Sequence, residues 1–554
     1  MPIVDAYRRA PLVNPAFVPF SDGAVQAGGI HGKMTARVLA GADVSAMTPL
    51  DAVLASKLGG YADLPPVPNV AAAATELRSN PRGFVLLARA ALMTASANRD
   101  KEALLQLLDS MRLFLEAMPE IPQEKLFPLG ADALRLVSDL YRRTGAPFLL
   151  TLLECLRVQL PDVTGILQSF PFLKAYESQN KAGMEGDTLR YHENMDAAAT
   201  GSLMGDALAM TVYLALYSGS SREGTAGKAG LAALMRYHGA PTGAFTADPY
   251  LAGRDPARAT DLAALCSQIE ALSDLLMASG DLRYAEQLEM LMMNALPELL
   301  PGEGIRTLQP MNRLWEDDSC TAVKPEPRDT SALLRALYAL RRSIWLAKEN
   351  TEIALLLPVD GGCLTRVSGV PVRLTAQAAG VVERRVTIAV ETRQPVNFTL
   401  KVRVPAYGSA ASFCVNGGKE ENALAGEMLS IGRTFQNGDV ITVKWRCFPK
   451  WETGYRGSRF VTFGAQVMAL PLADKGQGWQ FALLADGELI PGEEMGKPCV
   501  RAVATDAPAW SAKNGFVTPP PQGLYVDQEY ELTLLPFAET TGRIVEFPCA
   551  AVRP

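Results

Sequence analysis

Residues 236–297 read RYHGAPTGAFTADPYLAGRDPARATDLAALCSQIEALSDLLMASGDLRYAEQLEMLMMNALP, and this stretch decides the fold. Its first third is a loop punctuated by Gly and Pro, which interrupt regular elements. From Thr260 the pattern changes. Leu262, Leu265, Cys266, Ile269, Leu272, Leu275 and Leu276 recur at helical spacing and form one apolar stripe over Thr260–Ser279. Thr260 or Asp261 supplies the N-terminal cap, and Gly280 ends the helix. A second helix follows over Leu282–Leu296. The joint between them, MASGDLRY at Met277–Tyr284, looks like YRRTGAPF at Tyr141–Phe148. Repeated helical hairpins with short Gly turns suit an α/α toroid, in which inner and outer helices alternate.

Working outward, helical spacing also covers Arg82–Ala97, Lys101–Ala117, Gly130–Thr144, Pro147–Gln159, Leu203–Ser218, Ala226–His238 and Thr330–Glu349. Near residue 350 the pattern changes to short alternating runs. TEIALLLPVD, RRVTIAVET, NFTLKVRVP, ASFCVNG, EMLSIG and DVITVKW read as strands. Asn416–Gly417 and Asn437–Gly438 are hairpin-turn signals. FVTFGAQVMALPL, LYVDQEYELTLLPF and GRIVEFP continue the β pattern. The expectation is a multidomain α+β chain: an (α/α)6-type toroid over residues 1–350, an antiparallel β-sandwich over 351–455, and a second β-sandwich module over 456–554 that shares strands with the first.

The totals narrow the function. With 554 residues the chain needs more than one core. It is 48% hydrophobic and 20% charged, with a formal net charge of −6. That balance offers no basic surface for nucleic acid. No uninterrupted apolar run reaches 18 residues, so no membrane span is expected. The N-terminus MPIVDAYRRAPLVNP lacks a basic region followed by an apolar one, which points to a cytoplasmic protein. The eight cysteines are scattered without a CxxC pair and read as free thiols. Three histidines are too few for a histidine-rich metal site.

LMRYHGAPTGAFTADPYLAGRDPARATDL resembles a pattern of the β-L-arabinofuranosidase superfamily (glycoside hydrolase family 127 and relatives), RYHGQPxGxFSGDEHLAGxxPxxGTELC. The similarity continues in order along the chain. FVPFSDGAVQAGGIHGKMTARVL looks like the entry segment, and Leu129–Phe172 looks like the hairpin before the active site. Asn294-Ala295-Leu296-Pro297 matches the following hairpin, and TLKVRVPAYGSAASFCVNGG with TFQNGDVITVKW resembles the sandwich. The resemblance implies a retaining exo-glycosidase with zinc held by one glutamate and three cysteines. One of those cysteines would be the nucleophile, and a separate glutamate the acid/base.

Carried over residue by residue, those groups are exchanged. Asp261 stands for the glutamate of TELC and Ala263 for its cysteine. Pro249 stands for the glutamate of GDEHLAG, with Asp248 beside it. The family's Cys-Cys pair falls near Arg328–Asp329, and no Cys-Cys occurs in the chain. No cofactor is therefore expected, although relatives carry zinc.

Asp248 and Asp261 are the remaining catalytic candidates, as an acid/base pair. The alternative is local: Asp261 caps a helix and Asp248 opens a turn. His192, Glu193 and Asn194 could hold sugar hydroxyls, or form a helix-start cluster. Tyr191, Tyr237, Tyr250 and Trp315 could stack on sugar faces, or be core. Asp329 completes the candidate set. His238 follows a helix and is expected to meet its last carbonyls. Glu316-Asp317-Asp318 is read as a solvated loop, and Cys266 as an inert core thiol.

Three functions follow. The chain is a degenerate relative that binds an oligosaccharide or glycoside or serves as a partner subunit, an active zinc-independent glycoside hydrolase using Asp carboxylates, or a structural assembly protein. Homo-oligomerisation through the sandwich domains is a further expectation.

Overall fold

The computed structural model describes residues 7–59, 64–314, 320–472, 478–484, 487–494, 497–507, 509–513, 516–520 and 524–551. Trp315 and Glu316-Asp317-Asp318 lie outside these residues.

Six helices close a ring. Pro49–Gly59, Pro81–Asn98, Gly130–Thr144, Gly201–Ser218, Leu262–Ser279 and Pro327–Ile344 each pack on the next, and the last packs on the first. Lys101–Ala117, Phe148–Gln159, Ser221–His238 and Leu282–Met293 alternate with them in the chain. This is the α/α toroid that the repeated hairpins predict. The helix joints follow from sequence. Asp261 accepts from Ala264 N at 2.5 Å at the start of one inner helix, and Gly280 at φ +73° ends it.

Two helices end earlier than their periodicity predicts. Leu282 leads a helix only to Met293, because Asn294 turns aside to dock the sheet that contains Gln466–Leu472. Its Nδ2 donates to Ala465 O at 2.8 Å, and its Oδ1 accepts from Val467 N at 2.8 Å. The last inner helix runs Pro327–Ile344, and Trp345–Glu349 is a strand. Strand pairing with Glu352–Leu355 on one side and Val18–Pro19 on the other overrides the helical reading, and Trp345 is fully buried. Gly29–Gly41, Pro49–Gly59 and Gly186–Ala199 are helices that periodicity did not reveal.

Beyond the toroid lie a five-stranded sheet and a seven-stranded sheet. N-terminal strands complete both: Val18–Pro19 pairs with Trp345–Glu349, and Val25–Ala27 pairs with Gly361–Val367. A further sheet follows from Pro449. Within it, Gly542–Ile544 near the C-terminus returns to pair with Gln466–Leu472. Asn416 and Gly417 both take positive φ, as the Asn-Gly turn requires.

Buried ion pairs fasten sheets to toroid. Arg403, fully buried on a sandwich strand, bonds Glu289 of the Leu282–Met293 helix, and Tyr407 Oη donates to the same carboxylate at 2.8 Å. Glu298 gathers Arg306, Arg313 and Arg543 from three segments. Leu262–Ser279 is, among the described residues, a helix long and apolar enough to cross a membrane, although Glu270 and Asp274 interrupt its apolar run. Most of its residues are buried as a wall of the toroid, which accounts for its apolarity.

Candidate functional site

The site begins with a paired turn. Ala247 and Thr260 form a parallel bridge, and Asp261 N donates to Ala247 O at 3.0 Å. Asp248 and Asp261 each follow a bridge residue by one position, so the two carboxylates leave neighbouring chain segments in register. Gly201 starts the next inner helix directly against this pair. A Cβ there would sit 2.6 Å from Ala247 Cβ and 2.7 Å from Ala264 Cβ, so only glycine permits the approach.

Asp248 is tied to Arg258. The guanidinium Nε lies 2.9 Å from Oδ2, and Nη2 meets Oδ1. Ala259 N also donates to Oδ2 at 3.3 Å. Asp261 differs. Burial, reinforced by Asp248 against its helix-cap hydrogen bonds and Arg328, pushes its carboxyl up to about 6. Asp329 opens the neighbouring inner helix in a capping box with Glu326, whose N donates to Asp329 Oδ2 at 3.2 Å. Arg328 spans Glu326 Oε2 at 3.0 Å and Asp329 Oδ1 at 3.6 Å.

An aromatic and polar wall stands beside Asp248. Asp248 N donates to Tyr250 O at 3.0 Å, and Tyr250 packs edge-on against Tyr176 at 5.7 Å. Tyr176 Oη donates to Asp196 Oδ1 at 2.6 Å, while Ser178 Oγ donates to Oδ2 at 2.6 Å and Lys181 Nζ lies 2.5 Å from Oδ2. Burial and the Asp196 carboxylate raise the Tyr176 hydroxyl, and Tyr250 and Tyr191 act in the same direction. Tyr191 is 59% exposed and meets His192 edge-on. His192, Glu193 and Asn194 lie within the Gly186–Ala199 helix, so the helix-start reading is corrected. That helix leads to Thr200, which bridges to Tyr250. Tyr237 stacks on Phe170, as a packing aromatic.

His238 is fully buried and structural. Gly253 N donates to its Nδ1 at 2.9 Å, which leaves Nε2–H to donate to Phe172 O at 2.7 Å. It therefore braces the site loop and does not meet its own helix end. Two other segments brace the same loop: Thr518 Oγ1, from the C-terminal sheet region, donates to Asp255 Oδ1 at 2.8 Å, and Met311 N and Asn312 N, ahead of the last inner helix, both donate to Pro256 O at 3.1 Å.

Sequence reasoning missed a charged network among the inner helices. Arg335 Nη1 lies 3.0 Å from Asp132 Oδ2, and its Nε lies 2.9 Å from Glu270 Oε1. Arg135 joins Asp132, Glu270 and Asp274, and Arg89 also binds Asp132. Asp206 faces this group. Burial, Asp132 and Glu270 push its carboxyl up to about 7 against Arg335 and Arg135. The available signal was a charge interrupting an apolar helix, as Arg89 interrupts FVLLARAALM and Asp206 interrupts LMGDALAM.

The donor set does not fit zinc held by thiolates. Ala263 offers no ligand, Asp329 is committed to its capping box, and Arg328 brings a cation toward Asp261. Cys266 is buried, and burial with nearby carboxylates drives its thiol well above its ordinary range. Among the described residues no three His, Cys, Asp or Glu side chains gather as a metal site. The described cysteines are free thiols.

A helical toroid followed by sheet-rich domains is the architecture of the GH127 fold. Residues 361–446 match the family model of the β-L-arabinofuranosidase GH127 middle domain, and the chain has the GH127-like superfamily fold. A solved glycoside hydrolase shares that fold with TM-score 0.69 at 16% identity, covering 97% of this chain and 98% of the other. A GH127 β-L-arabinofuranosidase from Geobacillus stearothermophilus T6 gives 0.61 at 15% identity, covering 94% of each. A further GH127 β-arabinofuranosidase gives 0.59 at 14%, covering 97% and 99%. No curated protein matches the chain.

Proposed function

We propose that this chain is a glycan-binding relative of the GH127 glycosidases that has lost their zinc–thiolate chemistry. One observation carries the reading. Both oxygens of Asp248, the carboxylate beside the position of the family's GDEHLAG glutamate, are engaged by Arg258. A carboxylate closed in this way is a poor proton carrier, because using it breaks a two-pronged charge-assisted contact. The wall beside it, Tyr176, Tyr191 and Tyr250, offers ring faces and hydroxyls suited to a sugar. His192, Glu193 and Asn194 are further candidate hydroxyl partners, on the helix that leads to Thr200 and its bridge to Tyr250.

Titration calorimetry with oligosaccharides, starting from β-L-arabinofuranosides, tests this reading alongside an assay for released sugar. Saturable binding that weakens in Tyr250→Ala, with no release, is the expected result. A second reading rests on Asp261. Its carboxyl, pushed up to about 6 beside a second carboxylate, has the character of a general acid. Release of sugar that survives chelators and disappears in Asp261→Asn would establish hydrolysis and overturn the binding-only reading. Self-association through the sandwich domains is a separate proposal, and sedimentation analysis reads it directly.

A further inference from the structure

At the other end of the toroid a cavity of about 770 Å³ and one of about 700 Å³ flank the Val25–Ala27 strand. The smaller carries the chemistry. Arg341, which lines it, sits 12 residues beyond Asp329 on the same helix, or about 18 Å along its axis. It is therefore separate from the Asp248–Asp261 site.

Its polar groups are built into the core. The Lys57 side chain is 2% exposed and pairs with Asp22, to which Tyr338 Oη also donates. Arg341 is 7% exposed and uses Nη1 to donate to Lys57 O at 2.6 Å. Among the described residues no acceptor meets its Nε or Nη2, so part of the guanidinium is left for a ligand. His31 is held neutral: burial lowers it to about 4, and its Nε2 meets Leu337 O at 2.9 Å. Among the described residues, Lys57 and Arg341 thus face a single lining carboxylate, Asp22.

The wider surroundings are positive as well. Lys57 is lowered by burial, with Asp22 opposing, and both Arg341 and Arg143 act on it as like charges. Asp22 is raised by burial but held low overall by Lys57, with help from Arg342. Thr35 and Gln26 add neutral hydrogen-bonding groups to the lining, while Ala36 and Asn98 are exposed at its rim. A cavity of this size holds a small metabolite, since ligand pockets run about 300–1,000 Å³. An excess buried cation is best satisfied by an anion that it can hydrogen-bond.

We propose that this cavity binds a small polyol of monosaccharide size bearing an anionic head, phosphate or carboxylate. Arg341 and Lys57 hold the head, and Thr35, Gln26 and Asn98 meet hydroxyls.

Calorimetry on the full chain with glucose 6-phosphate, glucuronate and uncharged glucose tests this. One charged probe is expected to bind at one site at least tenfold more tightly than glucose, and which one it is identifies the head. Arg341→Met should weaken that binding at least tenfold. Should Arg341→Met fail to fold, Ala36→Trp, placed at an exposed rim position, should block binding while leaving the melting temperature unchanged. Tyr250→Ala, at the opposite end, should leave it intact. Absence of saturable binding by both charged probes, equal binding of glucose, or binding that Ala36→Trp spares and Tyr250→Ala removes, each overturns the proposal.

Discussion

Arg258 grips Asp248 with two guanidinium nitrogens, Nε at 2.9 Å from Oδ2 and Nη2 on Oδ1. The pair lies at the surface end of the site: the Arg258 side chain is 43% exposed and that of Asp248 20%. Its contribution to stability is therefore small, about 1 kcal/mol or less. Under the proposed glycan-binding function its effect on affinity is larger, because it fixes the carboxylate next to Tyr250. Arg258→Gln is expected to shift the urea midpoint little and to weaken glycan binding about tenfold. A large loss of stability with unchanged affinity would show that the pair is structural.

Asp261 gives the site a pH dependence with a definite sign. Its carboxyl is raised from 3.8 to about 6, so the folded state binds the proton more tightly than the unfolded one. The protein is then most stabilised by this group at low pH, and that stabilisation is lost as pH rises from about 4 to about 6. The shift corresponds to an upper limit of about 3 kcal/mol. Asp261→Asn keeps an oxygen to cap the Leu262–Ser279 helix and removes the titration. Melting curves from pH 4 to 7 should fall more steeply for the wild type than for the variant. Parallel curves would mean that Asp261 titrates normally.

Zinc-linked behaviour should be absent. Ala263, Arg328 and Asp329 stand where the resemblance implies thiolates. Metal analysis of protein purified without chelators should find zinc far below one ion per chain, and EDTA should not change the melting temperature. Stoichiometric zinc would require ligands other than those carried over by position.

The junction of toroid and sandwich depends on Arg403. It is fully buried, bonds Glu289, and donates to Leu356 O at 2.5 Å. Arg403→Met leaves Glu289 buried with, among the described residues, Tyr407 as its remaining hydrogen-bond partner. Removing one partner of a buried pair costs about 3–5 kcal/mol. Urea unfolding should show a transition at lower denaturant, and limited proteolysis should cut between helices and sandwich. An unchanged midpoint would mean that water or a rearranged side chain replaces the guanidinium.

The toroid was legible because its helices are amphipathic and punctuated. Asp261 and Gly280 bound their helix as read, and Asn416–Gly417 turns as read. What stayed hidden depends on long-range pairing. Trp345 looks helical by periodicity, yet it pairs with Leu355 in a sheet. Val18–Pro19 and Val25–Ala27 are too short to carry a pattern, and they become strands only against residues more than 300 positions away. The two candidate carboxylates were legible because the loop pattern aligns them. Tyr176, Asp196 and Lys181 were not, because nothing local relates them to Tyr250.

Asp206 was hidden in the same way and leads to the last prediction. Arg89, Arg135 and Arg335 are balanced by Asp132, Glu270 and Asp274, so the network is neutral without it. A fourth carboxylate would add an uncompensated negative charge among the inner helices. That is why burial and its acidic neighbours raise the Asp206 carboxyl from 3.8 to about 7. The sign matches that of Asp261 but the window extends higher. The folded state favours the protonated form, so stability falls as pH rises from about 4 to about 7, and the full cost is present above pH 7. The shift sets an upper limit of about 4 kcal/mol. Asp206→Asn is nearly isosteric and cannot ionise. It should be more stable than the wild type at pH 8 and should lose that advantage by pH 4. Equal stability of the two proteins at pH 8 would show that Asp206 ionises there at no cost, and that a cation or water outside the six-membered network compensates it.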